Sequence, residues 1–207
     1  FENKYENEKR YDELFKNADT YLEKILQKIN ELEFDKNSII VVLSDHGISL
    51  GEKFGERAYG AFCYDYTIKT FCYIKSPEIK PKTIHQQVRH IDIMPTILDM
   101  LGISLSKNYE NLDGISLMPL IKGGILDENI AYSETGNPLD EKAPPKEPNI
   151  HSIRTTNWKL IYNSHNNSKE LYDLKTDPNE NNNLIGGKLE IEEILWKHLL
   201  KIKNKNT

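Results

Sequence analysis

Ile39-Ile40-Val41-Val42-Leu43 is the longest unbroken apolar run in the chain, and it limits the fold more than any other segment. Four of its five residues are β-branched and no polar residue alternates with them. That is the pattern of a short strand covered on both faces, as in the parallel sheet of an α/β fold. Upstream, Leu14, Ala18, Leu22, Ile25, Ile29 and Leu32 recur at spacings of three and four. Glu6 with Arg10 and Asp12 with Lys16 add favourable i,i+4 pairs, so residues 5–32 are predicted to form one long amphipathic helix. Phe34-Asp35-Lys36-Asn37 is the turn between them. A helix followed by a buried strand is half of the crossover unit from which parallel sheets are built.

A second strand is predicted at residues 70–75. A second helix is predicted at residues 92–101, with Pro95 in its first turn, Gly102 as its stop and Asp92 as its cap. Beyond Gly102 the texture changes. Residues 136–149 carry four prolines and read as a loop, and residues 152–155, 158–162 and 170–174 read as short strands of an antiparallel sheet. Leu189, Ile191, Ile194, Leu195, His198, Leu199 and Ile202 predict a closing amphipathic helix. The expected division is 1–125, part of an α/β core, and 126–207, a subdomain with the small sheet and the closing helix.

The 207 residues fit one domain or one domain with a small appendage. Twenty-seven Lys and Arg against 32 Asp and Glu give a net charge of -5, which leaves no basic field for nucleic acid or an anionic membrane. No apolar run approaches the roughly 18 residues of a membrane span. Cys63 and Cys72 lack the spacing of a metal or redox pair and read as packing residues. The chain starts at Phe1 without a basic or apolar leader, so it is expected to be a piece of a longer protein whose location is left open.

Directly after the apolar run stand Ser44-Asp45-His46-Gly47. Ligands of open α/β sheets collect at the carboxyl ends of strands, and there Asp45 and His46 offer an oxygen and an imidazole nitrogen to a divalent cation. Gly47 allows a tight turn after them. The bland reading, a turn aspartate and a surface histidine, stands at even odds on these residues alone.

Neighbouring motifs shift those odds. Ser44-Asp45-His46-Gly47-Ile48-Ser49-Leu50-Gly51-Glu52 resembles the SDHGxxLGE segment of the sulfatase branch of the alkaline phosphatase superfamily. In the same order, Tyr64-Asp65-Tyr66-Thr67-Ile68-Lys69 is similar to YDxxLR, the stretch from Val88 through Asp92 and Pro95 to Ile103 resembles VxxxDIxPTLLDLxGI, and Asp113-Gly114-Ile115-Ser116-Leu117-Met118-Pro119-Leu120-Ile121 matches DGxSLLPLL. The stretch from Ser152 through Arg154, Trp158 and Lys159 to Asn163 is similar to SxRTxxWKLIYN, and the one from Glu170 through Asp177 and Pro178 to Glu180 to ELYDLxxDPxE.

The resemblance implies an alkaline-phosphatase-like α/β fold in part: a mostly parallel sheet flanked by helices, plus a small C-terminal antiparallel sheet with a helix. It implies hydrolysis of small-molecule or carbohydrate sulfate esters at a divalent-metal site to which Asp45 and His46 contribute. Calcium is the first choice of metal, with magnesium, manganese or zinc as alternatives. The family's nucleophile, a formylglycine made from Cys or Ser in a CxPxR motif, and its remaining acidic ligands belong to the N-terminal half of the family's fold. Neither Cys63 nor Cys72 is followed by that Pro and Arg, so the catalytic nucleophile is unknown here and the chain alone is expected to be inactive. Lys53 and Arg57 are candidates for contacting the sulfate, while Tyr59 occupies a position where relatives often carry His. Arg57 can only clamp charge, because its pKa above about 12 keeps it from donating a proton. His85 and His90 read as surface residues, and Trp158 and Tyr162 as packing. Arg154 reads equally as a ligand contact or a brace. Two other readings stay open: a phosphodiesterase, phosphonate hydrolase or phosphoethanolamine transferase of the same superfamily, and a non-catalytic member.

Overall fold

The computed structural model describes residues 3–53, 59–104, 112–137, 147–187 and 190–204. Helix α1 spans Lys4–Glu31, opened by Asn3, whose side chain accepts the Glu6 N–H. A 3₁₀ turn at Phe34–Lys36 leads into β1, Ile40–Leu43. The short helix α2, Asp65–Ile68, precedes β2, Cys72–Lys75, and a second 3₁₀ turn, His90–Asp92, runs into α3, Ile93–Met100. After α4, Met118–Ile121, come β3, Ala131–Thr135, β4, Ile150–Arg154, β5, Trp158–Asn163, and β6, Ser168–Asp173, and the chain closes with α5, Glu190–Lys203. Among the described residues no helix is long and apolar enough to cross a membrane.

The four late strands form one antiparallel sheet in the order β3-β4-β5-β6. Strand alternation sends successive residues to opposite faces, and both faces are used. Ile153, Leu160 and Leu171 meet Leu195 and Leu199 of α5 on one side. Ile150, Ile161 and Tyr172 meet Cys63 and Tyr64 on the other. Cys63 is buried, as the packing reading expected, whereas Cys72 is exposed.

The earlier part of the chain differs from expectation. β1 forms where the apolar run stands, but it pairs antiparallel with β2 in a two-stranded sheet, and Leu43 at its end is 40% exposed. Covering both faces takes a packed layer on each side, and the described residues cover β1 only in part. Helix α1 has the predicted amphipathic stripe, yet none of its residues is buried. Asp92 does not cap α3 with its side chain. Its carboxylate is buried, accepts the N–H groups of Arg89 (2.9 Å) and Ile115 (3.0 Å), and pairs with the Arg89 guanidinium at 2.7 Å. A buried charge takes the partners that satisfy it, and Arg89 with the residue 115 backbone offers more than the open first turn of α3.

Candidate functional site

The chain leaves β1 through Ser44, whose N–H donates to the Phe71 carbonyl (3.2 Å) and whose Oγ accepts the Phe71 N–H (3.2 Å). These two bonds tie the strand exit to the residue preceding β2. Asp45 and His46 then project outward, with side chains 86% and 46% exposed. Asp45 Oδ1 accepts the His46 N–H at 2.9 Å, and Oδ2 lies 3.6 Å from His46 Nε2. His46 Nδ1 is 2.7 Å from the Gly47 carbonyl oxygen, which can only accept. In the neutral ring Nδ1 therefore carries the proton and Nε2 keeps its lone pair. Two electron-pair donors then face each other across 3.6 Å without a proton between them. Metal-ligand distances of about 2.0–2.6 Å let both reach one ion, so the donor set fits a divalent cation. Among the described residues no group of three or more His, Cys, Asp or Glu could hold a metal, so the pair is at most part of a coordination shell.

Gly47 fixes the height of this pair. Its N–H donates to the Thr67 carbonyl at 2.8 Å, and a Cβ at this position would lie 2.2 Å from the Tyr66 carbonyl oxygen. Only glycine allows that approach. The loop then folds onto itself: Glu52 accepts the Leu50 N–H (2.7 Å) and the hydroxyl of the buried Ser49 (3.2 Å), while Asn7 of α1 donates to the Leu50 carbonyl. The Tyr59 ring lies against the His46 imidazole with centroids 4.5 Å apart.

The other predicted contacts are placed differently. Lys53 turns toward the C-terminal sheet, where its Nζ donates to the Glu180 carbonyl and lies 5.1 Å from the Tyr64 ring centre. Arg57 is outside the described residues. Arg154 braces: its guanidinium grips both oxygens of Asp65 (2.9 and 2.8 Å) and donates to Gln87 at 2.6 Å. His90 bonds the Thr70 hydroxyl at 2.9 Å, and Tyr162 packs edge-on against Trp196.

A buried charge cluster lies behind the loop. Lys159, 0% exposed, places Nζ 2.5 Å from Asp65 Oδ1, 2.7 Å from Glu180 Oε1 and 3.1 Å from the Cys63 carbonyl oxygen. Its contact with Glu180 is an ion pair off the line of a hydrogen bond. Glu180 Oε2 in turn accepts the Asp65 N–H at 2.6 Å. Lys159 and Arg154 sit directly opposite on β5 and β4, a like-charge pairing that only an anion between them makes tolerable. Burial would raise the Asp65 carboxyl, but the Arg154 hydrogen bonds and the charges of Lys159 and Arg154 outweigh it and hold its pKa at about 2. Glu180 goes the other way: burial raises it, against the pull of Lys159.

Sequence reasoning missed this cluster, although one signal was present. Strand alternation puts Lys159 on the same face as Ile161, and once that face is covered its ammonium needs acids as partners.

An α/β fragment with an Asp-His pair at a strand exit and an appended antiparallel sheet defines a class, and comparison with known proteins narrows it. The family described as "N-sulphoglucosamine sulphohydrolase, C-terminal" matches residues 55–205, and the family described as "Sulfatase" matches residues 2–103. The chain belongs to the sulfatase family. It is 29% identical to the N-acetylglucosamine-6-sulfatase of Bos taurus over 208 aligned positions, which cover 85% of this chain and 36% of the relative. The solved structure of a protein in complex with its substrate D-glucosamine-2-N,6-O-disulfate superposes with a TM-score of 0.72 and 25% identity, covering 90% of this chain and 38% of that one. The phosphonate monoester hydrolase of Silicibacter pomeroyi shares the fold, with a TM-score of 0.73 at 24% identity, covering 91% and 39%. The alkaline-phosphatase-like α/β fold, in part, is thereby established. The chain spans little more than a third of the length of these relatives.

Proposed function

We propose that this chain is the C-terminal part of a sulfatase that hydrolyses sulfate esters of carbohydrates or other small molecules, with Asp45 and His46 holding one divalent cation. The observation that carries the reading is the pair of facing donor atoms, Asp45 Oδ2 and His46 Nε2, 3.6 Å apart with the imidazole proton committed to Gly47. A bound cation supplies positive charge for the non-bridging oxygens of the ester. This chain's residues prepare the place: the Gly47 carbonyl fixes the tautomer, the Thr67 and Phe71 backbone fixes the loop, and the Tyr59 ring fixes the imidazole plane. Calcium is the first choice of ion.

Residues 1–125 complete the α/β core of that fold and 126–207 form its subdomain. The nucleophile, the remaining ligands and the other half of the sheet are assigned to the part of the relatives that this chain does not cover. The carbohydrate sulfate class is supported by the likeness to an N-acetylglucosamine-6-sulfatase and to a protein solved in complex with its substrate D-glucosamine-2-N,6-O-disulfate. The phosphonate hydrolase shares the fold alone, so sulfate is the favoured ester.

Two measurements test this. The 207-residue chain is expected to show no sulfatase turnover with calcium, magnesium or manganese, and joined to a segment supplying the rest of the sheet and a CxPxR nucleophile it is expected to gain it. Asp45→Ala should remove both the turnover and the Mn²⁺ binding. Retained metal affinity in Asp45→Ala, or preference of the completed protein for phosphonate over sulfate esters, contradicts the proposal.

A further inference from the structure

Glu180 touches both the far end of the loop that carries Asp45 and His46 and the helix α2 against which that loop rests. Its side chain accepts the N–H of Asp65 at the start of α2, and its carbonyl receives the ammonium of Lys53 at the far end of the loop. Glu180 itself sits in the left-handed region, with φ 55°, so this double reach depends on an unusual backbone turn after β6. Lys159 of β5 then locks the arrangement. It joins Glu180 to Asp65 from a position with no solvent access and also bonds the Cys63 carbonyl just before α2. The carbonyls of Tyr66 and Thr67 in α2 are the surfaces against which Gly47 is pressed.

We infer that Lys159, Asp65 and Glu180 are positioning residues for the cation loop: the C-terminal sheet sets the height of Asp45 and His46 by clamping α2, on which Gly47 rests. The chain of contact runs from Lys159 to Asp65, through the α2 backbone to the Gly47 amide, and from there to the imidazole whose proton the Gly47 carbonyl holds. No member touches the cation or substrate. Their effect is on where the ligands stand, and for its functional consequence the inference rests on the metal reading proposed above. It also gives the appended sheet a role at the site beyond covering the core.

The test compares three variants of the full chain with wild type, each at a temperature where it is folded. Lys159→Met keeps the stem volume and removes the ammonium. Glu180→Gln keeps an acceptor for the Asp65 amide and removes the charge. Leu171→Ala loosens the other face of the same sheet without touching the cluster. The first readout is hydrogen exchange at the Gly47 amide, normalised to the Leu160 amide in β5. It is expected to quicken about tenfold in Lys159→Met and about threefold in Glu180→Gln, and to stay within about twofold in Leu171→Ala. The second readout is Mn²⁺ affinity, followed by paramagnetic broadening of the His46 ring signals, which is expected to fall about tenfold in Lys159→Met, as for other groups that orient metal ligands. If Lys159→Met does not fold, Glu180→Gln decides. Gly47 exchange no faster in the cluster variants than in Leu171→Ala overturns the inference. Broadening of wild type that does not depend on Asp45 defeats the metal reading instead, and the exchange result still judges the positioning.

Discussion

Two halves of this molecule carry apolar stripes of similar quality, and only one has something to pack them against. In the C-terminal half the four-stranded sheet buries residues on both faces, including Ile153, Leu160, Leu171, Leu195 and Leu199 on the α5 side. In the N-terminal half, among residues 3–53, only Ser49 is buried, while Leu14, Phe15, Tyr21, Ile25 and Leu32 of the α1 stripe lie open. The patterns that specify secondary structure are therefore local, but burial is not. A helix can be fully encoded while the surface it is meant for lies elsewhere. The same contrast separates the sheets: β1 and β2 stand as a pair, whereas β3 to β6 form a closed layer with partners above and below.

The largest effect should come from the charge cluster that joins the halves. Lys159→Ala leaves the buried Glu180 without its cation and Asp65 with Arg154 alone, and is expected to cost about 3–5 kcal/mol in urea unfolding. A loss under about 1 kcal/mol would mean that the cluster is not the joint it looks like. Next comes the closing helix against the opening one. Leu199→Ala removes a fully buried side chain and should cost about 2–5 kcal/mol. Its counterpart Ile25→Ala, on the exposed stripe of α1, should stay within about 0.5 kcal/mol. Equal losses at the two positions would show that α1 is packed in solution.

A further difference between the halves is their response to acid. His151 sits on the α5 face of β4, its Nδ1 2.9 Å from the Tyr132 hydroxyl and 3.5 Å from Glu134, and its buried Nε2 has no hydrogen-bond partner among the described residues. Burial, helped by the Lys203 charge and opposed by Glu134, lowers its pKa from the ordinary 6.5. A lowered folded-state pKa contributes stability that is present above pH 6.5 and is lost as pH falls through the depressed value. The melting temperature should thus begin to drop below pH 6.5, and His151→Gln should flatten that part of the profile. Asp65 adds a second stabilising contribution, present above its ordinary 3.8 and lost as pH falls through about 2, while Glu180, raised by burial, works in the opposite sense. An unchanged profile in His151→Gln would count against the buried imidazole as its source.

Much of this was readable from the chain alone. Spacing foretold α1 to within a residue at each end, the β-branched run foretold β1, and the strand-like pieces at 152–155, 158–162 and 170–174 foretold β4, β5 and β6. Asp45 and His46 could be singled out because they are adjacent in sequence, so no tertiary knowledge was needed to bring them together. The rest depended on distance. That β1 would pair antiparallel, that Asp92 would turn to Ile115, and that Lys53 would reach Glu180 each involve partners 23 to 127 residues away. No local pattern carries that information. Lys159 lies between these cases: it shares a face with Ile161, but Trp158, Leu160 and Tyr162 make the opposite face equally apolar, so the sequence alone did not send its ammonium inward.

The dimensions of α1 have a mechanical consequence. Twenty-eight residues at about 1.5 Å each make a rod some 42 Å long, whereas the four residues of β1 extend about 13 Å. The rod is therefore about three times as long as the strand it precedes, and any bed that shelters its whole greasy side must run about three times as far as β1 does.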